Sequence, residues 1–167
     1  MEPNGTMLRL HNAWFATIAL SLLNIGCSTG KNEPTATGTT RTLAHGSAPM
    51  VYHVDIIGPV VNPLSKPSIE VPPQALLVSG WAVDDPRKVL AGGVDIVMDH
   101  NPYAARYGIS RKDVAAYYKE PSYENSGFDF TVPAAQMTEG IHIFAVRVVA
   151  NDGKSYWESP EFTLVVQ

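Results

Sequence analysis

Apolar and polar residues alternate along several short runs in the last two thirds of the chain, a pattern typical of half-buried β-strands. Proline and glycine separate these runs. Residues 60–73 are rich in proline, which cannot donate a backbone hydrogen bond within a sheet, so this segment can form only an irregular edge strand. The predicted strands, with this edge segment, lie at residues 51–56, 68–71, 75–83, 93–99, 127–132, 141–150 and 161–166. About seven short strands without alternating helices predict an all-β protein, an antiparallel β-sandwich.

Two local signals refine this prediction. Residues 110–118 have a 3.6-residue apolar period, with Ser110 as the expected N-cap, Asp113 in a near capping box and Pro121 barring continuation. They predict one short helix whose apolar face, formed by Val114, Tyr117 and Tyr118, lies on a sheet. Residues 151–153 read Asn-Asp-Gly between two β-rich runs and predict a hairpin, because Asn and Gly tolerate positive φ.

The N-terminal residues have a pattern that predicts an export signal. Arg9 precedes an apolar run at residues 13–25, which is well short of the roughly 20 residues that a membrane-spanning helix needs. Residues 1–26 are therefore predicted to be a signal peptide. The residues before Cys27 resemble a bacterial lipoprotein cleavage motif, except that Asn24 stands where an apolar residue is usual. We expect Cys27 to be lipidated; secretion without a lipid and a retained membrane anchor are the alternatives.

The segment behind the cysteine has the composition of a tether. Residues 28–49 are rich in Thr, Gly, Ser, Ala and Pro, and they contain too few large apolar side chains to offset the entropy of ordering. The predicted organisation is thus a lipidated Cys27 with a flexible linker at residues 27–49, followed by one folded domain at residues 50–167. In a Gram-negative host, Ser28 in place of Asp predicts an outer-membrane anchor, with the domain facing the periplasm or the exterior.

Several motifs along the predicted strands resemble a bacterial Ig-like extracytoplasmic module. They are SGWAVD at residues 79–84, GVD at 93–95 with Asp99, ARYGISRKDV at 105–114, SGF at 126–128 and GIH at 140–142. Such modules occur in exported proteins and as periplasmic tails of membrane glycosyltransferases. The resemblance covers residues 52–166 and departs at Lys112, where the family commonly has Pro. It implies an Ig-like sandwich and a cell-envelope setting, and it carries over no active site.

Charge and motif content weigh against several functions. The net charge is −4 and no basic stripe is present, so nucleic acid is not an expected partner. The chain has no G-x-S-x-G elbow and no H-E-x-x-H pair, so no enzyme activity, metal or cofactor is predicted. The best candidates for calcium binding or acid–base chemistry are the four carboxylates of Asp84, Asp85, Asp95 and Asp99. A turn at Asp84 and Asp85, and a place on the solvent face of a strand for Asp95 and Asp99, explain them better.

Aromatic residues supply the remaining functional signal. Trp81 lies in the middle of the strongest strand and is expected in the core. Tyr103, Tyr123 and Trp157 lie near turns, where flat rings with polar tips could contact a glycan. The expected function is a lipid-anchored, non-catalytic binding or scaffolding module of the bacterial envelope, whose partners are the membrane and an envelope protein or polysaccharide. A carbohydrate-binding module is the alternative, and an envelope enzyme comes third.

Overall fold

Two β-sheets face each other across a hydrophobic core, so the prediction of an all-β sandwich is confirmed. The computed structural model describes residues 38–167, where thirteen strands and one α-helix are present. The predicted signal peptide, Cys27 and the first part of the predicted linker lie outside the described residues. Within residues 38–167, no helix combines the length and the apolar character needed to cross a membrane.

One sheet has seven strands. They are β1 (Ala44–His45), β4 (Ile69–Val71), β7 (Gly93–Met98), β8 (Asn101–Ala104), β11 (Gly140–Val149), β12 (Ser155–Glu158) and β13 (Phe162–Val166). Strand β7 pairs along one edge of β11, while β12 and β13 pair in succession along the other edge. The short strands β1 and β4 pair in parallel with β12 and β13. The predicted hairpin is confirmed, because β11 and β12 pair in antiparallel across residues 151–153.

The second sheet has six strands. They are β2 (Val51–Ile57), β3 (Val60–Val61), β5 (Leu76–Asp84), β6 (Val89–Leu90), β9 (Arg106–Ile109) and β10 (Gly127–Val132). The order is β3, β2, β5, β10 and β9, with β6 pairing on the end of β5. The sequence pattern did not predict β8 and β9, because these strands are only four residues long and β8 shows no alternation.

Alternate residues of the long strands fill the space between the sheets. Phe128 on β10 and Phe144 on β11 are at most 1% exposed and belong to this core. A Cβ atom at Gly80 would lie 2.0 Å from the carbonyl oxygen of His53 and 2.8 Å from Cζ of Phe128. Glycine at position 80 therefore permits the close approach of β2 to β5 and the packing of the Phe128 ring.

The helix, α1, spans Lys112–Tyr118 and confirms the predicted short helix. Its N-cap differs from the prediction: Arg111 holds that position and no side chain caps the helix, so Ser110 and Asp113 form no capping box. The Asp113 carboxylate accepts hydrogen bonds from Arg111 instead. Lys119 follows the helix as its C-cap and has a left-handed backbone conformation with φ of 54°. The predicted apolar face is correct for Val114, which is buried, and wrong for Tyr117, which is 81% exposed.

The last part of the predicted linker folds onto the seven-stranded sheet. Residues 38–49, called here the N-terminal strap, contain a 3₁₀ turn at Thr39–Thr42 and strand β1. The backbone N–H and the hydroxyl of Thr40 donate to Asp95 Oδ2 at 2.8 and 2.7 Å, and the Thr39 hydroxyl donates to Asp95 Oδ1 at 3.1 Å. The flexible-linker prediction therefore does not hold for the strap, because a buried carboxylate anchors it.

Candidate functional site

A small hydrophobic cluster lies on the outer face of the six-stranded sheet. Val83 of β5 packs there against Val114 of α1 and Tyr123 of the following 3₁₀ turn, and each is at most 4% exposed. The Tyr123 hydroxyl donates to Asp85 Oδ1 at 2.7 Å. Burial, together with this contact to a carboxylate, raises the pKa of Tyr123 and keeps its hydroxyl neutral. The cluster fixes α1 on the sheet.

Beside this cluster, four rings form a continuous surface that we call the aromatic patch: His53, Trp81, Tyr117 and Tyr118. The His53 ring stacks on Trp81 with a centroid distance of 6.5 Å. Tyr118 meets Trp81 edge to face at 5.5 Å and Tyr117 at 5.1 Å. Tyr117 is 81% exposed and Tyr118 is 37% exposed. The protein thus has a surface aromatic cluster, a feature compatible with a binding module.

Arg111 connects the helix to the sheet at the border of the patch. Its guanidinium donates to Asp55 Oδ2 at 2.6 Å and to both carboxylate oxygens of Asp113, at 2.9 and 2.7 Å. These hydrogen bonds lower the pKa of Asp113 to about 2 and raise the pKa of Arg111. A Cβ atom at Gly127 would lie 3.0 Å from Cγ of Arg111, so glycine leaves room for the arginine stem. The patch therefore lies beside a fixed network of charges.

The opposite side of α1 borders a shallow groove of about 400 Å³. Its floor is apolar and includes Ala115, Ala116 and Pro121. Lys112, Lys119 and Glu124 form its charged rim. Helix α1 thus lies between a ring-lined surface and an apolar groove with a charged rim.

The structure corrects the predicted glycan contacts at two of three positions. Tyr123 is fully buried and Tyr103 is 7% exposed, so neither ring face can stack on a sugar. Tyr103 points inward from β8 and stacks on Phe130 at 5.7 Å, while Tyr123 lies beneath α1. Trp157 is half-buried and packs on Tyr52 at 5.5 Å. These three residues therefore form no common exposed platform.

Trp81 was expected in the core between the sheets but lies on the outer face of the six-stranded sheet. Its strand neighbours Gly80 and Ala82 face the core, and strand geometry then turns Trp81 outward. It is half-buried against the cluster beneath α1. The alternation of Val78, Gly80 and Ala82 was the sequence signal for this orientation.

The four candidate carboxylates have separate partners rather than a shared centre. Asp84 accepts a hydrogen bond from Arg87, Asp85 from Tyr123, and Asp95 from the N-terminal strap. Asp99 pairs with His142. In the part of the chain that the structure describes, no group of three His, Cys, Asp or Glu residues is placed to hold a metal ion. Each carboxylate thus has a partner within the fold, but the predicted solvent-face role is wrong for Asp95, because Asp95 is completely buried.

No family model matches the chain, and no curated protein matches it significantly. The solved structures that are similar to this chain at low identity include two that follow. The endo-β-1,4-mannanase from Thermotoga petrophila has a TM-score of 0.45 and 9% identity over 71% of this chain, and the match spans only 20% of the mannanase chain. CopC from Methylosinus trichosporium OB3b has a TM-score of 0.39 and 13% identity, over 70% of this chain and 94% of CopC.

Proposed function

We propose that this protein is a non-catalytic binding module of the bacterial envelope that holds a protein partner through the aromatic patch. The observation that carries the proposal is the 81% exposure of Tyr117 beside Tyr118, which meets it edge to face. Lipidation of Cys27 would place the domain at a membrane surface, and the outer membrane is the proposed location. The predicted export signal and the resemblance to extracytoplasmic modules support this setting.

The composition of the patch favours a protein partner. Trp, Tyr and Arg are enriched among the residues that contribute most to protein–protein affinity, and Trp81, Tyr117, Tyr118 and Arg111 lie together here. The edge-to-face contacts and the ion pairs of Arg111 hold these side chains before a partner arrives. Such preorganisation lowers the entropy that association costs.

Carbohydrate recognition is the second candidate, and the exposed Tyr117 ring favours it. A sugar face stacks best on a flat, open surface, whereas Trp81 and Tyr118 are inclined by 66° and Tyr117 and Tyr118 by 74°. Tyr117 alone could therefore offer a full ring face. The predicted glycan set of Tyr103, Tyr123 and Trp157 is replaced in this candidate by Tyr117.

Affinity measurements on matched variants test the proposal. Tyr117→Ala and Tyr118→Ala should each weaken binding of an envelope protein, by about thirtyfold for a residue that contributes about 2 kcal/mol. Ile141→Ala is the control, because Ile141 is 72% exposed on β11 in the other sheet. Pull-down from envelope extract, followed by titration of the purified partner, measures the effect.

A glycan array with the same variants separates the two candidates. A protein-binding module is supported if no glycan on the array binds the protein and if the tyrosine variants alone lose binding to the protein partner. Binding of one polysaccharide that Tyr117→Ala abolishes would favour carbohydrate recognition. Equal protein binding by wild type, Tyr117→Ala and Ile141→Ala would refute a role for the patch.

A further inference from the structure

The N-terminal strap is held to the seven-stranded sheet mainly by polar contacts. Of its twelve residues, only Gly38 and Thr40 are buried, and eight are exposed. The strap contributes no residue to the hydrophobic core between the sheets, whose first member along the chain is Met50. Segments with few buried apolar contacts open locally at a lower free energy than the rest of a domain. The strap should therefore be able to detach while the sandwich stays folded.

The contacts of the strap follow one another along the chain. The backbone N–H of Gly38 donates to the carbonyl oxygen of Pro102 at 2.9 Å. Asp95 then accepts the hydrogen bonds from Thr39 and Thr40. Strand β1 pairs with β12 over two residues only. A pull from the N-terminal side therefore loads these contacts in succession, beginning at Gly38.

The chain behind the strap is held in a different way. Strand β2 pairs in antiparallel with β5 along most of its length. Val54 and Ile57 of β2 have no exposed surface and belong to the core. Detaching β2 would break this pairing and expose core side chains to water, whereas detaching the strap breaks a few polar contacts. Tension from the N-terminal side therefore meets the weaker contacts first.

We propose that the N-terminal strap is a force-sensitive extension of the tether, which detaches under tension and leaves the sandwich folded. Its role rests on the proposed function, because tension between a lipidated Cys27 and a bound partner would reach the domain at Gly38. Release of residues 38–49 lengthens the tether by at most about 40 Å, at about 3.3–3.6 Å per extended residue. The domain then follows a partner that moves away from the membrane without unfolding.

Single-molecule pulling on the full chain in detergent tests this device without a membrane or a partner. Cys27 is the only cysteine, so its thiol takes one handle, and a tag after Gln167 takes the other. We expect a first step at low force that lengthens the chain by at most about 40 Å and reverses when the force falls. A second step at higher force should release the sandwich, residues 50–167, and add about 400 Å.

Matched variants test whether the bonds to Asp95 set the first step. Thr40→Val removes the hydroxyl that donates to Asp95, with little change in shape. It should raise the ratio of detached to docked strap at a given low force by at least about tenfold. Asp95→Ala should abolish the first step. Thr42→Val makes the same substitution at an exposed position of the same turn, and should leave both steps unchanged.

Three results would overturn the proposal. They are a single step that extends the strap and the sandwich together, a first step that needs as much force as the second, and a first step that Thr40→Val and Thr42→Val change equally. The wild-type trace decides even where a variant fails to fold. Because the assay needs neither lipid nor partner, its failure would leave the proposal for the aromatic patch standing, and failure of that proposal would leave the two steps unchanged.

Discussion

Removing the carboxylate of Asp95 should release the N-terminal strap from the seven-stranded sheet. Asp95 is completely buried on β7 and accepts three hydrogen bonds, two from Thr40 and one from Thr39. In Asp95→Ala, the backbone N–H and both hydroxyls lose their acceptor while the rest of β7 keeps its pairing with β11. The perturbation therefore acts on the strap rather than on the sheet.

The expected magnitude follows from the types of bonds lost. A hydrogen bond to a charged group contributes about 1.5–3 kcal/mol, and a buried donor left unpaired costs about 1–3 kcal/mol. Because the three bonds share one carboxylate and are not additive, we expect Asp95→Ala to lower the free energy of unfolding by about 3 kcal/mol. Asp95→Asn keeps one acceptor oxygen, and the threonine hydroxyls can rotate to accept from its amide, so about 1 kcal/mol is expected.

Urea unfolding and amide hydrogen exchange measure this effect. The Thr40 amide should be protected in the wild type, weakly protected in Asp95→Asn and unprotected in Asp95→Ala. Glu70→Ala removes an exposed carboxylate from the same sheet and serves as the control, with an expected change within about 0.5 kcal/mol. The reasoning is refuted if Asp95→Ala behaves like Glu70→Ala and the Thr40 amide stays protected.

Two further predictions concern pH and membrane attachment. Burial of His142 lowers its pKa. Two hydrogen bonds, to Asp99 and to the Thr138 carbonyl, and the negative charge of Asp99 raise the pKa by more, so the net effect is a raised pKa. The stability from His142 should therefore be fully present below the unfolded-state pKa of about 6.5 and be lost as pH rises through the folded-state pKa. Urea unfolding midpoints measured at a series of pH values should show this loss of stability in the wild type but not in His142→Gln. Cys27→Ser should abolish labelling by a fatty-acid analogue and release the protein from membranes, since lipid chains supply the anchoring energy; equal membrane retention of Cys27→Ser would refute lipidation.

The long strands were predictable because burial on one face leaves a period of two in the sequence. Strand β5 shows this: its even-numbered residues from Leu76 to Ala82 face the core. The odd-numbered residues from Leu77 to Val83 face outward or into the cluster under α1. The packed strap was not predictable, since its polar composition is that of a tether. Its order depends on Asp95, which lies 55 residues away from Thr40 in the sequence.

The aromatic patch was only partly predictable, for a similar reason. Sequence periodicity placed Tyr117 on the helix face against the sheet, whereas the structure exposes Tyr117 and buries Tyr123 in the cluster under α1. That assignment follows from how the 3₁₀ turn Pro121–Tyr123 folds back against Val83. Closeness to a turn in the sequence was therefore a poor indicator of exposure for Tyr103 and Tyr123.

Photo-crosslinking from the aromatic patch tests the central claim most directly. A photoreactive phenylalanine analogue at position 117 of the full chain, irradiated in isolated envelopes, should give one discrete protein adduct. Purified wild-type protein should compete with its formation, purified Tyr118→Ala should compete poorly, and the same analogue at position 141 should give no such adduct. No adduct at position 117, or the same adducts at positions 117 and 141, would contradict a binding module that acts through this patch.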